Sequence, residues 1–240
     1  MRADLSGLTW FTDLSLAVAE ARRTQRPILS LRLLGRLDEE LSCANSRMFR
    51  RLLYPEARVN RMLRERYVLH WQSMRPVPVV TIDFGDGRRL VRTLTGNSVH
   101  LVLDPHGRPV DAMPGLVLPD VFVQWLERGL ALARCDRKEE LALHHERWLR
   151  QPGPMPRESR AMLASAVAMS KHLVEAPVLR AVSPVELDSA QALQLHARVS
   201  ETFARGTPWT VDALVAWIYR DLFLMPPDDP FLGLDVSDPV

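Results

Sequence analysis

Cysteine is scarce in this chain: Cys43 and Cys135 are the only two among 240 residues. So few thiols, so far apart, exclude a disulfide framework and any paired-cysteine metal site. Lysine is equally rare, since only Lys138 and Lys171 among the 31 basic residues are lysines. The arginines are scattered and do not gather into a tract with interleaved aromatics, so no nucleic-acid partner is expected. No apolar run reaches the roughly 18 residues that a bilayer span needs. The segment MRADLSGLTWFTDLSLAVAEARR also lacks the unbroken apolar stretch of a secretory signal. No membrane partner is expected, and the location expected is a reducing cytoplasm.

What is present describes a globular chain. Hydrophobic residues make up 47% and charged residues 25%, with a formal net charge of +2. A chain of this length buries a core without disulfide or metal staples.

The pattern of elements reads as mixed α/β. Leu14, Ala17, Val18 and Ala21 have helical spacing behind a cap at Thr12 or Asp13. Pro27 introduces ILSLRLL, a buried strand that Gly35 ends. A helix is expected from about Ser42 through CANSRMFRRLLY, broken at Pro55, then another over EARVNRMLRERY and a strand at YVLHW. VPVVTIDF and RRLVRTL flank Gly85-Asp86-Gly87, the signature of a β-hairpin. SVHLVLD and RPVDAMPG are further strands, followed by one long helix from Pro119 to about Leu149. Gln151-Pro-Gly-Pro-Met-Pro156 is the clearest breaker, and helical patterns follow at 157–175, 186–204 and 210–224. Phe231, Leu232 and Leu234 in the irregular tail are expected to dock on the body.

Three segments together carry a family likeness. RPILSLRLLG, then LSCANSRMFRRLLYPEARVNRMLRERYVLHW, then GNSVHLVLDPHGRPVDAMPG, resembles the thioredoxin-like pattern of strand, active-site helix, second helix-strand unit and later strand pair. The resemblance covers about residues 10–130. It implies an α/β thioredoxin-like sandwich over 1–130, and the helical patterns beyond make 131–240 an all-helical extension.

The same likeness implies a site. Cys43-Ala44-Asn45-Ser46 falls where the family carries Cys-x-x-Cys, so Cys43 matches the attacking cysteine and Ser46 replaces the resolving one. A thiolate at a helix N-terminus meets free N–H groups and the positive end of the macrodipole, which lowers its pKa. Ser46 is placed to hydrogen-bond it, Asn45 to support the turn, and Arg47 to assist from one turn along. Ser98 stands where the family has a cis-proline. A cis bond before a non-proline residue costs about 2.5–4 kcal/mol, so a trans loop is expected. His100, in the strand SVHLVLD, is either a polarising neighbour of Cys43 or a half-exposed strand histidine.

Other motifs carry less. Cys135 reads as an ordinary helix residue. His144 and His145 are adjacent and so point about 100° apart on a helix, which argues against metal. Phe84-Gly85-Asp86-Gly87-Arg88 lacks the spacing and the following helix of a phosphate loop. No cofactor is expected. Two functions remain open. One is a monothiol redox protein in which Cys43 forms a mixed disulfide that an external thiol such as glutathione resolves. The other is a non-catalytic module that binds a protein partner.

Overall fold

The computed structural model describes residues 2–5, 7–39, 42–93, 97–151 and 184–231. The helical pattern at 157–175 and the tail residues Leu232 and Leu234 lie outside them. The described chain is a mixed α/β protein built on one six-stranded sheet.

The elements run β1 (Arg2–Leu5), β2 (Leu8–Phe11), α1 (Leu14–Thr24), β3 (Ile28–Leu34) and α2 (Ala44–Met48), which continues as one π-helical turn, Phe49–Leu53. Then come α3 (Ala57–Arg66), β4 (Val68–Arg75), β5 (Val79–Asp83), β6 (Arg89–Thr93), β7 (Val99–Leu103), β8 (Pro109–Pro114) and α4 (Pro119–Leu132). The described C-terminal helices are α5 (Lys138–Arg150), α6 (Pro184–Ala204) and α7 (Val211–Trp217), the last extended by a π-helical turn, Ile218–Leu222.

The sheet order is β1-β2-β4-β3-β7-β8. Strands β2 and β3 run parallel to β4, while β7 and β8 are antiparallel to their neighbours. Central β3 is buried at all seven positions, as expected for a strand covered on both faces. Register fixes what each face carries. Leu31 pairs with His100, and His100 packs on Phe49 and Phe122, so α2 and α4 cover that face. Ser30, Arg32 and His70 lie on the opposite face, where Asp212 and Tyr219 are close enough to bias the charge of Arg32. Asp13 caps α1 by accepting from the amides of Ser15 and Leu16.

The C-terminal helices join the same core. One cluster of buried apolar residues includes Trp10, Leu31 and Phe122 together with Val199 and Ile218. Helix α6 lies on β8, with Ala192 against Gly115 and the Ser189 hydroxyl accepting from the Leu118 amide at 3.2 Å. Burial of this much apolar surface is the main stabilising term, at about 25 cal/mol per Å².

Two sequence expectations need correction. The long helix from Pro119 divides: α4 ends at Leu132, and Ala133–Arg137 form a turn holding Cys135. No proline or glycine marks this break. Phe231 is 54% exposed and does not dock; Phe223 and Met225 are the buried residues near the tail. The hairpin at Gly85-Asp86-Gly87 is present, with β5 and β6 forming a separate two-stranded sheet.

Candidate functional site

Chain geometry after β3 sets the site. Gly35 adopts φ +73°, a left-handed turn that L side chains rarely take, and its amide donates to the Arg75 carbonyl at 2.8 Å. The loop returns to the sheet at Ser42. The Ser42 hydroxyl accepts from Ser46 at 2.6 Å and from Arg50 at 3.1 Å, and its carbonyl accepts from the Thr93 hydroxyl. Cys43 then stands at the start of α2, where the sequence places it.

Its chemistry differs from expectation. Cys43 is fully buried. Burial pushes its thiol pKa up, although the Ser46 amide and hydroxyl, the Leu34 amide and the Arg47 charge all pull it down. The expected lowering of the pKa is therefore overturned. Removal of the thiol from water outweighs the donors and the charge around it, so desolvation wins. The Ser46 hydroxyl is also held by the Cys43 carbonyl at 2.8 Å and by Ser42.

Asn45 and Ser98 do come together. The Asn45 amide donates to the Ser98 hydroxyl at 3.3 Å, tying α2 to the loop before β7. Ser98 is buried, and its peptide is trans, as are all described peptide bonds. The Ser98 carbonyl accepts from the Gly115 amide at 2.7 Å.

His100 is neither half-exposed nor aimed at the thiol. It is buried, with its Nε2 2.8 Å from the Tyr54 hydroxyl, and burial depresses its pKa to about 3. The π-turn explains the contact. The Tyr54 amide donates to the Phe49 carbonyl at 2.8 Å, five residues back, and this shift turns both rings toward His100.

Residues beyond the expected set close the site. Tyr219, buried after α7, lies near enough to Cys43 for a thiolate there to raise its own pKa further, beyond the effect of burial. Its hydroxyl donates to the Asn97 carbonyl at 3.0 Å, immediately before Ser98. The Asn97 side chain meets Met225 Sδ at 3.6 Å. Arg75 holds the following segment by donating to the carbonyls of Asp229 at 2.6 Å and Pro227 at 3.3 Å. Nothing in the local sequence around Tyr219 marks these long-range partners. A cleft of about 400 Å³, lined by Arg26, Arg66, Arg108 and Arg134, lies near the start of β3, and Cys43 is not in its lining.

No protein-family model and no curated protein matches the sequence.

Among the described residues, no helix is long and apolar enough to cross a membrane. A second polar cluster lies away from Cys43. Asp111 is buried and accepts from Trp125 Nε1 at 2.9 Å and from His196 Nε2 at 2.9 Å, with Arg128 at 3.7 Å. Burial raises its pKa, but His196 and Arg128 more than reverse this and hold the carboxyl well below its ordinary range. Buried and built from three elements, the cluster locks α4 and α6 onto β8.

Proposed function

We propose that this chain is a thioredoxin-like scaffold that no longer carries out thiol–disulfide exchange and serves as a protein-interaction module. The strand order and directions from β2 to β8, with Cys43 opening the helix after the central strand, support the thioredoxin-like reading. The observation that carries the functional reading is the burial of Cys43 beside Tyr219. The attacking species in exchange is an accessible thiolate. Here the thiol is dry, its pKa is raised, and Tyr219 already occupies the Asn97 carbonyl beside it.

Exposed apolar side chains on both faces of the β5–β6 hairpin, Val79 and Val91 on one and Ile82 on the other, support the partner-binding half of the proposal. Val79, Ile82, Phe84 and Val91 on the β5–β6 hairpin are all exposed. A lone two-stranded hairpin is marginal in water, and exposed apolar patches commonly mark protein contacts. The partner chemistry this fits is an apolar protein surface.

The redox alternative draws on one specific feature. The Leu34 and Ser46 amides both oppose the rise in the Cys43 pKa, so a thiolate exposed by displacement of α7 would find donors in place.

One experiment separates the two readings. Alkylation of Cys43 is followed against pH in native full-length protein carrying Cys135→Ala. The module reading expects negligible reaction until the protein unfolds. A thiol that reacts quickly in the native state and titrates below the free value of about 8.5 would overturn it.

A further inference from the structure

Away from Cys43, three unlike metal-binding groups converge at the turn between α4 and α5. Cys135 Sγ, a carboxylate oxygen of Glu140 and an imidazole nitrogen of His144 all lie within 4.8 Å of one another. The local fold creates this meeting. The break after Leu132 swings Cys135 off the axis of α4, and Glu140 and His144 sit one turn apart on the same face of α5. Adjacent His145 points inward, to the Val110 carbonyl at 2.9 Å, and takes no part.

We propose that Cys135, Glu140 and His144 form a binding site for a thiophilic divalent cation of the zinc class. The donors are uncommitted. Among the described residues, neither Glu140 nor His144 has a hydrogen-bond or ion-pair partner, and the Cys135 thiol makes only a long contact to the Ala131 carbonyl at 3.8 Å. Three idle donors of complementary type facing one another lack a counterpart, and a cation supplies it.

Donor chemistry selects the ion. One sulfur, one nitrogen and one oxygen suit zinc, whereas calcium and magnesium take oxygen cages. Zinc–ligand bonds of about 2.0–2.3 Å in a tetrahedron put donor atoms about 3.5 Å apart. Each donor therefore moves inward by less than about 1 Å from its present position. Glu140 is exposed and Cys135 lies in a turn, so both have that freedom.

Binding proceeds by exchange of a proton for the metal. The Cys135 S–H bond breaks, its proton passes to solvent, and the sulfur pair forms the S–metal bond. His144 donates its neutral ring nitrogen, and Glu140 its carboxylate. The carboxylates of Glu140 and Asp136 act on the Cys135 sulfur, and their negative field attracts a cation. Three protein ligands leave a fourth position for water or the Asp136 carboxylate. The site clips the end of α4 to the start of α5.

The test uses metal-free, reduced full-length protein titrated with cobalt(II), whose thiolate charge-transfer band reports sulfur ligation directly. The expected result is a band saturating at one equivalent, bleached when zinc is added. Cys135→Ala abolishes the band although Cys43 remains, and Glu140→Gln and His144→Ala each weaken binding at least about tenfold. Thermal unfolding without metal checks that the variants are folded. Absence of the band in the wild type, its survival in Cys135→Ala, or unchanged affinity in both other variants would overturn the proposal. The outcome is independent of Cys43 and its reactivity.

Discussion

The hydroxyl of Tyr219 donates to the carbonyl of Asn97 at 3.0 Å, across 122 residues of chain. That one bond places a C-terminal side chain at the loop facing the start of α2. Tyr219→Phe removes the donor and leaves a carbonyl short of its partner, while retaining the ring. The expected cost is about 1–2 kcal/mol, read as a fall of about 2–8 °C in Tm. No change in Tm would mean that the contact contributes nothing to closing the site.

Gly129 offers a test with an unusual sign. In an exposed helix, replacing glycine by alanine gains about 1 kcal/mol. Here a Cβ would meet the Tyr67 hydroxyl at 2.8 Å and Val102 Cγ2 at 2.9 Å. Tyr67 is fixed by its bond to the Leu126 carbonyl at 2.5 Å, so it cannot yield freely. Gly129→Ala is expected to destabilise by about 1–3 kcal/mol, measured by urea unfolding. A gain in stability would show that α4 stands farther from the sheet.

Asp111 anchors two helices, α4 and α6, that lie far apart in the chain. Asp111→Ala leaves the Trp125 indole and His196 without their acceptor and the Arg128 charge without its carboxylate. Loss of one partner from a buried charged cluster costs about 3–5 kcal/mol. Chemical denaturation should report that loss, and protease sensitivity should rise in α6. A variant as stable as the wild type would contradict the anchoring role.

Acid should unfold the protein through its histidines. Burial is the leading cause that depresses the pKa to about 3 for His70 and His100 and to about 4 for His145, against an ordinary 6.5. The fold holds each ring neutral, and the unfolded chain binds the extra proton. Their contribution is complete above about pH 6.5 and is lost as pH falls toward those lower values, at up to about 1.4 kcal/mol per pH unit for each ring. Denaturant midpoints measured between about pH 7 and about pH 5 should fall with acid. A flat profile would contradict the burial of these rings.

The apolar strands were legible because burial on both faces leaves a run such as Ile28–Leu34 in the sequence itself. Gly85-Asp86-Gly87 likewise announces its turn through backbone chemistry. The position of Cys43 at a helix start was also readable, whereas its burial was not. Tyr219 lies near Cys43 in the fold, a neighbour that no local pattern links to it. His100 escaped for the same reason: a polar residue in a strand suggests an exposed face until a distant group such as Tyr54 is placed beside it. The turn at Cys135 lacks a breaker residue, and the reading of His144 and His145 as neighbours hid the more informative spacing of Glu140 and His144.

The grip of Arg75 on the carbonyls of Pro227 and Asp229 fixes an order of events during synthesis. Strand β4 leaves the ribosome early, yet the segment that seals it is made more than 150 residues later. Contacts this remote close slowly, because the intervening chain must first be drawn in. Until α7 and the segment after it are made, Arg75 lacks the Pro227 and Asp229 carbonyls and the Asn97 carbonyl lacks the Tyr219 hydroxyl. The two ends of the described fold are therefore joined last, through main-chain carbonyls that any side chain at those positions would supply.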